Sequence, residues 1–418
     1  MLDSIQALIP DLERLYEDLH AHPELSYAEH RTAGIMADRL SALGYEVTTG
    51  IGGTGVVATL TNGVGPTVLM RADIDALPVK ETTGLAYAST ASAIDDDGET
   101  VPVAHACGHD MHATWLIGTA TVLATHQDEW KGQLLLVVQP AEEVGTGADA
   151  MIDDGLFERF GMPTVALGQH VVPSPAGTVL HRSGPIMAAS DALKITLHGH
   201  GGHGSSPQTT VDPIVMAAST VMKLQTIVSR DLDPGATAVL TVGTLHAGTK
   251  ENIIPEQAEL TLSVRTFEPE VRDRVLANIE RIAECEAASY GAPQPPDVES
   301  IYSFPATEND PAATATVAAA FDAHFGARRS LPAPMATGSE DFGMFGRRGD
   351  FPSVFWFVGG TDPDLWATAT AAGRLDRDIP FNHSANYAPV QHPTMETGIE
   401  AMITAARCWL APPDASDG

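Results

Sequence analysis

Residues 56–70 read VVATLTNGVGPTVLM and contain two apolar runs, 56–60 and 67–70, on either side of turn residues at 63–66. Short apolar runs bounded by glycine and proline predict two strands. Downstream, helical and strand-like patterns alternate as far as residue 180. They predict helix 113–125, strand 133–138, helix 148–153 and strand 164–167. Upstream, leucines at helical spacing predict two helices in the first forty residues. This alternation is typical of an α/β sheet flanked by helices.

The pattern changes after residue 188. It predicts strand 191–200, helix 212–229, strands 237–245 and 257–266, helix 268–288 and strand 298–304. The order β-α-β-β-α-β is the split βαβ arrangement of a small α+β domain. We therefore predict one α/β domain, formed by residues 1–188 and 305–418, that is interrupted by an inserted α+β domain at residues 189–304.

Composition narrows the class of protein. A length of 418 residues favours two domains. The formal net charge of −31 makes nucleic acid and anionic membrane surfaces poor partners, because both would be repelled. No apolar run has the length of a membrane span, no secretory signal is visible, and three cysteines do not form a disulfide scaffold. We expect a cytoplasmic protein; the acidity leaves salt adaptation open. The acidic loop 95–97 is expected to be solvated.

The densest chemical signal is HACGHDMH at residues 105–112. Thiolate and imidazole are good ligands for divalent transition metals. A lone Cys or His is more often a packed side chain, but a cluster this dense ahead of a predicted helix favours a metal site. The helix N-terminus would also favour the thiolate of Cys107. Cys285 and Cys408 fall in helical patterns and are expected to be packed thiols.

Carboxylates and histidines follow the predicted strands. The sequence PAEE at 140–143 follows strand 133–138, where one carboxylate can bind metal while the other acts as a base; the alternative is a surface-exposed helix start. His170 follows strand 164–167, and His383 lies late in the chain. Asp73 in RADIDALP, 71–78, suits a carboxylate that orients a metal ligand, and an N-cap or turn aspartate explains it equally well. Ligands gather at the carboxyl ends of strands in an α/β sheet, so this convergence predicts the site.

The inserted domain contains HGHGGHG at residues 198–204. This resembles the oxyanion loop of an esterase, but the chain has no Gly-x-Ser-x-Gly nucleophile motif to accompany it. A separate metal site of three histidines is a second alternative. Asn252 and Arg265 are polar groups that can hold a carboxylate, since Arg is suited to bidentate pairing. Ordinary surface positions explain both residues equally well.

Together these motifs resemble the aminoacylase–carboxypeptidase metallopeptidases. The branch with hippurate hydrolase, N-acyl-amino-acid amidohydrolases and auxin-conjugate hydrolases is the most similar. The resemblance begins at HPELS, 22–26, and continues through the motifs above to GSEDF, 338–342, and His383. It implies a catalytic domain of the dinuclear-metal peptidase type, with a central mixed sheet. The inserted domain would serve as a lid and dimerisation domain.

The resemblance also implies roles for individual residues. The metal ligands would be Cys107, His109, Glu143, His170 and His383. They would hold two divalent ions, zinc or manganese, with cobalt or nickel as alternatives. Glu142 would be the general base, and His203 would reach a neighbouring subunit's site. Asn252 and Arg265 would contact the substrate carboxylate.

The activity that the resemblance implies is hydrolysis of the amide bond in N-acyl amino acids, with N-acetyl, N-benzoyl or similar acyl groups. A dipeptidase or carboxypeptidase is the alternative within the family. A catalytically silent metal-binding assembly protein is the alternative outside enzymes, and the complete ligand set with Glu142 argues against it. The family resemblance implies a homodimer, or a tetramer, formed through the inserted domain.

Overall fold

The computed structural model describes residues 1–95 and 98–412. Two residues of the acidic loop 95–97 lie outside the described part of the chain, and so do residues 413–418 at the end of the predicted segment 305–418. Contacts divide the chain into two compact units. Unit 1 comprises Met1–Ile186, Glu308–Pro334 and Asp341–Gly418, and unit 2 comprises Met187–Thr307 and Met335–Glu340. Residues 335–340, which fall within the sequence-based segment 305–418, therefore pack with unit 2.

The first part of the chain forms five helices and nine strands among its described residues. They are α1 (Ile5–Ala21), α2 (His30–Ala42), β1 (Glu46–Ile51), β2 (Gly55–Asn62), β3 (Thr67–Asp73), β4 (Ser92–Ile94), β5 (Thr100–Pro102), α3 (His109–Thr125), β6 (Gly132–Gln139), α4 (Gly147–Asp153), α5 (Leu156–Phe160), β7 (Val165–Pro175), β8 (Val179–His181) and β9 (Gly184–Met187). The two predicted N-terminal helices and the strand pair around residue 63 are confirmed.

The middle of the chain contains β10 (Ala189–His198), β11 (Gly202–His203), α6 (Pro213–Thr226), β12 (Ala238–Ala247), β13 (Ile253–Ile254), β14 (Gln257–Thr266), α7 (Pro269–Tyr290) and β15 (Asp297–Phe304). The last part contains β16 (Thr307–Asn309), α8 (Pro311–Phe325), β17 (Ser330–Pro332), α9 (Gly343–Gly349), β18 (Ser353–Thr361), α10 (Pro363–Ala371), α11 (Leu375–Asp378) and α12 (Thr394–Ala406).

Unit 1 is built on a mixed sheet of eight strands in the order β1-β2-β6-β3-β7-β18-β8-β17. The central strands β6, β3, β7 and β18 are mutually parallel, while β2 pairs antiparallel with β6. Strands buried on both faces read as continuous apolar runs, and β6 (GQLLLVVQ) is an example, with its last six residues buried. The predicted α/β fold with a central mixed sheet is confirmed.

Helix α3 lies in the core of unit 1. Fourteen of its residues are buried, around its whole circumference, which is typical of a helix enclosed by other elements. It contacts α1 and α12, and Leu12, Leu15 and Leu19 of α1 are buried. This packing fixes the N-terminus of α3 against the sheet.

Unit 2 contains a four-stranded antiparallel sheet in the order β12-β14-β10-β15, on which α6 and α7 pack. Its core contains Leu193, Ile195, Met216, Val264 and Ile279. The element order β10-α6-β12-β14-α7-β15 is the β-α-β-β-α-β order read from the sequence, and β14 has the predicted bounds. No helix among the described residues is long and apolar enough to cross a membrane.

Two local expectations were wrong. Strand β7 does not end at residue 167 but continues to Pro175, because it pairs along that length with β18, for example His170 with Phe357. His170 therefore lies within a strand and not after one. Cys285 on α7 is exposed and is not a packed thiol, whereas Cys408 is partly buried.

Candidate metal centre

The carboxyl edge of the central parallel strands carries the first group of site residues. Strand β3 lies between β6 and β7, so the connection from β3 to β6 and the connection from β6 to β7 run in opposite directions across the sheet. This is the switch point at which α/β proteins bind ligands. Asp73 ends β3 opposite Gln139, which ends β6 and is followed by Glu142 and Glu143, while His170 lies on β7. The sheet thus brings together motifs that are about 100 residues apart.

The start of α3 supplies the second group. Gly108 caps the helix with a φ of 84°, in the left-handed region that glycine adopts without strain. A Cβ at this position would lie 2.5 Å from Cγ1 of Val171, so the close approach to β7 also requires glycine. This approach places Sγ of Cys107 3.4 Å from Nε2 of His170. His109 is the first residue of the helix.

A loop near the end of the chain completes the cluster. The backbone N–H of His383 donates to the carbonyl of Ala106 at 2.7 Å, and the side-chain amide of Asn382 donates to the carbonyl of Cys107 at 3.1 Å. These bonds dock the loop on the segment before α3. As a result, Nε2 of His383 lies 3.2 Å from Sγ of Cys107 and 3.3 Å from Oε2 of Glu143.

The structure therefore gathers the five side chains that were predicted as metal ligands. Their orientation suits metal binding. Nδ1 of His109 donates to the carbonyl of Asp75 at 2.9 Å, and Nδ1 of His170 donates to the carbonyl of Val171 at 2.7 Å. Because a carbonyl only accepts, the neutral form of each ring carries its proton on Nδ1 and has a free lone pair on Nε2, which is the state that a metal ligand needs.

Two buried atoms of the cluster lack hydrogen-bond partners among the described residues: Nε2 of His109 and Oε1 of Glu143. These two atoms lie 3.8 Å apart. Unpartnered buried polar atoms are costly, so a pair of them facing each other points to a missing ligand. Cys107, His109 and Glu143 also place ligand atoms within 4.8 Å of one another. This donor set of sulfur, nitrogen and oxygen fits a divalent transition metal.

The electrostatics of the cluster favour a cation. Burial and the neighbouring Glu143 carboxylate raise the pKa of the Cys107 thiol well above its ordinary value. Burial also raises the pKa of Glu143. The pKa of His109 is lowered by burial but raised further by Asp73 and Asp75, with a net rise. All three groups thus retain protons unless another positive charge lies beside them, and a bound cation is such a charge.

Glu142 precedes Glu143 on the loop after β6, and its side chain is buried. Its Oε2 atom lies 3.9 Å from Nε2 of His109, at the edge of the cluster. The two adjacent glutamates therefore occupy different positions relative to the histidines, since Glu143 also approaches His383. The division of these two glutamates between a ligand and a base stays a prediction.

Asp73 occupies a position behind the cluster. Its Oδ1 atom contacts Nδ1 of His112 at 2.5 Å, and its Oδ2 atom accepts from Arg71 at 2.9 Å. A second group of buried side chains also has ligand atoms close enough together to hold a metal: Asp73, His109, His112 and His170. However, Nε2 of His112 already accepts the backbone N–H of Val171 at 2.9 Å. Both nitrogens of His112 are thus engaged, and it bridges Asp73 to β7.

Sequence reasoning missed Asp75 as a site residue. Oδ1 of Asp75 lies 3.2 Å from Nδ1 of His109, and Oδ2 accepts the backbone N–H of Glu143 at 3.0 Å and the hydroxyl of Ser26 at 2.8 Å. One carboxylate therefore orients two predicted ligands. The sequence did contain a signal for this role, because Asp75 lies in RADID, two residues after Asp73.

His203, Asn252 and Arg265, the site residues predicted in the inserted domain, lie in unit 2. His203 on β11 pairs with Ile253 on β13, and the N–H of Gly204 donates to the carbonyl of Asn252 at 2.9 Å. His203 and Asn252 thus belong to one small two-stranded element. Arg265 does not belong to this element. It lies near the end of β14, and its Nη1 donates to the hydroxyl of Ser339 at 2.7 Å.

The alternative of a three-histidine metal site in unit 2 is not supported within the described residues. His198 bonds Asp297 at 2.8 Å, and Nδ1 of His203 accepts the N–H of Ser205 at 3.1 Å. None of the groups able to hold a metal in the described residues contains these histidines.

A buried cluster of thiol, imidazole and carboxylate groups at the switch point of an α/β sheet is suited to the active site of a metal-dependent hydrolase. The family model described as Peptidase family M20/M25/M40 matches residues 69–372. The chain belongs to this family, and it is a metal-dependent amidohydrolase of it. The resemblance drawn from the motifs is therefore confirmed.

Relatives with described activities cover most of the chain. It is 38% identical over 347 residues to thermostable carboxypeptidase 2 of Saccharolobus solfataricus, covering 82% of this chain and 84% of that protein. It is 37% identical over 365 residues to N-acetyl-L-cysteine deacetylase of Bacillus subtilis, covering 86% and 83%. It is 40% identical over 286 residues to hippurate hydrolase of Campylobacter jejuni, covering 68% and 72%.

A solved structure supports the same assignment. The crystal structure of a dinuclear metal binding peptidase of the M20 family from Bacillus subtilis is 30% identical and has a TM-score of 0.76. The match covers 96% of this chain and 99% of that one. The fold is thus that of a dinuclear metal-binding peptidase, and the buried cluster is suited to metal.

Proposed function

We propose that this enzyme hydrolyses the amide bond of N-acyl amino acids, with N-acetyl, N-benzoyl or similar acyl groups. The observation that carries the proposal is the convergence of five ligand side chains around two unpartnered atoms, with Glu142 at their edge. The names of the deacetylase and hippurate hydrolase relatives support the acyl amino acid as the substrate class.

The residues that would hold two divalent ions are Cys107, His109, Glu143, His170 and His383. Zinc or manganese suits this mixed donor set, and cobalt or nickel is compatible with it. When bound, such ions lower the pKa of water toward neutrality and polarise a carbonyl. Cys107→Ala is expected to reduce metal content, and unchanged metal content would remove Cys107 from the ligands.

Glu142 is the general base of the proposed reaction. Its carboxylate takes a proton from the attacking water and passes it to the leaving amine. Burial of this side chain keeps bulk water from competing for the proton.

We propose that residues 1–188 and 305–418 form the catalytic domain and that residues 189–304 form the lid and dimerisation domain.

His203 is proposed to donate to the scissile carbonyl of a substrate bound in a neighbouring subunit. The bond from the N–H of Ser205 to Nδ1 supports this role. Because Nδ1 accepts, the neutral ring carries its proton on Nε2, where it can stabilise a developing oxyanion.

Asn252 and Arg265 are proposed to hold the substrate carboxylate. The bond to Ser339 fixes the guanidinium of Arg265 for such a contact.

We propose a homodimer, or a tetramer, through the 189–304 domain. Strand β12 is an edge of the unit 2 sheet, and unpaired edges seek partners. Exposed apolar side chains lie on β12 (Val239, Leu245) and on α6 (Ile214, Val215, Met222). Light scattering coupled to size exclusion tests the proposal, and a monomer at all working concentrations would refute it.

Glu142→Gln tests the proposed chemistry. Because the change keeps size and removes the base, we expect metal content and fold to be retained while kcat falls by about 10²–10⁴-fold. Glu143→Gln is the matched control on the neighbouring residue. It is expected to lower metal content in addition to kcat, because Glu143 is a proposed metal ligand. Full activity of Glu142→Gln would refute the base assignment.

The carboxypeptidase relatives favour cleavage of peptides as the second candidate. A substrate panel separates the two. The metal-free protein is given each metal in turn and assayed on N-acetyl, N-benzoyl and indole-acetyl amino acids and on dipeptides. Preference for dipeptides would replace the proposed substrate class, and no cleavage with any metal would favour a silent metal-binding protein.

A further inference from the structure

The turn between α1 and α2, residues 24–29, contacts the loop that carries Glu142 and Glu143. This turn includes most of the HPELS motif, for which the proposed chemistry gives no role. We propose that Glu29 is a positioning residue that fixes the loop at residues 140–147, and through it the carboxylate of Glu142. The proposal rests on the proposed function for its catalytic consequence, although the contact itself is independent of activity.

Glu29 is fully buried and its backbone forms the N-cap of α2. Its Oε1 atom accepts two backbone N–H groups, from Tyr27 and from Ala141, each at 2.9 Å. Its Oε2 atom accepts the hydroxyl of Thr54. Three donors on one buried carboxylate leave it a single position. Ala141 directly precedes Glu142, so Glu29 reaches across 112 positions of sequence to the backbone beside the base.

The two N–H groups held by Oε1 belong to residues with unusual backbones. Tyr27 has a φ of 60° and Ala141 a φ of 52°, the left-handed region that favours glycine. This conformation is unfavourable for a residue with a Cβ, because the Cβ approaches the following carbonyl oxygen too closely. One carboxylate oxygen thus stabilises two strained residues, one in each of the segments that it joins. Backbone strain of this kind persists only where the surroundings hold it.

The loop is tight on the other side of Glu142 as well. The N–H of Gly147 donates to the carbonyl of Ala141 at 3.2 Å, and a Cβ on Gly147 would lie 1.7 Å from the carbonyl oxygen of Pro140. The 24–29 turn adds two further bonds. The hydroxyl of Tyr27 contacts that of Thr146 at 2.7 Å, and Ser26 bonds the carboxylate of Asp75. Glu29 is the member of this turn that bonds next to the base.

The chemistry of the contact predicts which substitutions matter. Glu29→Gln can place its amide oxygen on the Tyr27 and Ala141 N–H groups and turn its NH₂ toward Thr54, whose hydroxyl can rotate to accept. It should therefore keep most activity. Glu29→Ala loses all three bonds. Ala141→Gly relieves the strain at that position, because glycine adopts a positive φ freely.

The experiment compares four variants of the full chain after loading with the metal that supports activity. Glu29→Ala is expected to lower kcat by about 10–100-fold with little change in KM, because small displacements of a catalytic group cost this much. Amide hydrogen exchange of residues 140–147 should accelerate in the same variant. Glu29→Gln should restore both readouts, and adding Ala141→Gly to Glu29→Ala should recover part of kcat.

Asp310→Ala is the matched control, since Asp310 caps α8 through a bond of 2.7 Å to the N–H of Ala313. It should lose stability without changing kcat or exchange at 140–147. If Glu29→Ala behaves like this control, the inference is overturned. If Glu29→Ala does not fold, Glu29→Asp places at the N-cap of α2 a residue favoured there, but its shorter side chain withdraws the carboxylate from Ala141. Unchanged exchange at 140–147 in that variant overturns the inference equally. Accelerated exchange together with a fully active Glu142→Gln would uphold the contact and reject the base.

Discussion

Substitution of Asp75 by Asn tests how the cluster is oriented. The carboxylate faces donors on both oxygens: Nδ1 of His109 at 3.2 Å on Oδ1, and the Glu143 N–H and Ser26 hydroxyl at 3.0 and 2.8 Å on Oδ2. An asparagine amide has one oxygen and one NH₂. Either orientation therefore turns an NH₂ group toward a donor, so at least one contact to a predicted ligand becomes repulsive.

The size of the effect follows from these contacts. A hydrogen bond to a charged group contributes about 1.5–3 kcal/mol. Loss of a partner that orients a metal ligand typically costs about 10–100-fold in affinity, which corresponds to about 1.4–2.8 kcal/mol at 1.4 kcal/mol per factor of ten. The two ranges agree. We expect Asp75→Asn to weaken metal binding about 10–100-fold while the protein remains folded.

Competition with a chelator of known affinity measures the change, and circular dichroism checks the fold. Ser26→Ala is the matched control, because it removes one neutral bond to the same carboxylate and should weaken metal binding only a few-fold. If Asp75→Asn binds metal within about threefold of the parent protein, Asp75 does not orient the ligands and the reasoning fails.

Two further changes probe the buried charges of unit 1. Arg71→Met should destabilise the protein by about 3–5 kcal/mol in urea unfolding, since it removes the buried guanidinium that pairs with the carboxylates of both Asp73 and Asp341; a loss below about 1 kcal/mol would contradict this. Burial lowers the pKa of His20, but the carboxylates of Asp110 and Glu81 together outweigh that effect and raise the pKa to about 10. A raised pKa stabilises the folded state at low pH, so the stability difference between the parent and His20→Gln should shrink as pH rises from about 6.5 to 10. A constant difference would show that His20 is not charged.

Much of the fold could be read from the chain. Periodicity indicated helices α1, α2 and α7 and strands β2, β3, β6 and β14, because the alternation of apolar residues is a local consequence of helix and strand geometry. The motif 105–112 and the pair Glu142–Glu143 identified chemistry for the same reason. Their residue types and spacing are themselves the signal, whatever surrounds them.

Tertiary structure decided what depends on distant partners. The strand order and the full length of β7 follow from pairing with β18, almost 190 positions later in the chain. The function of Asp75 and the contact of Glu29 with Ala141 depend on backbone N–H groups, which every residue except proline carries. Sequence cannot show which of these groups a buried carboxylate will meet, because packing alone brings them within hydrogen-bond distance.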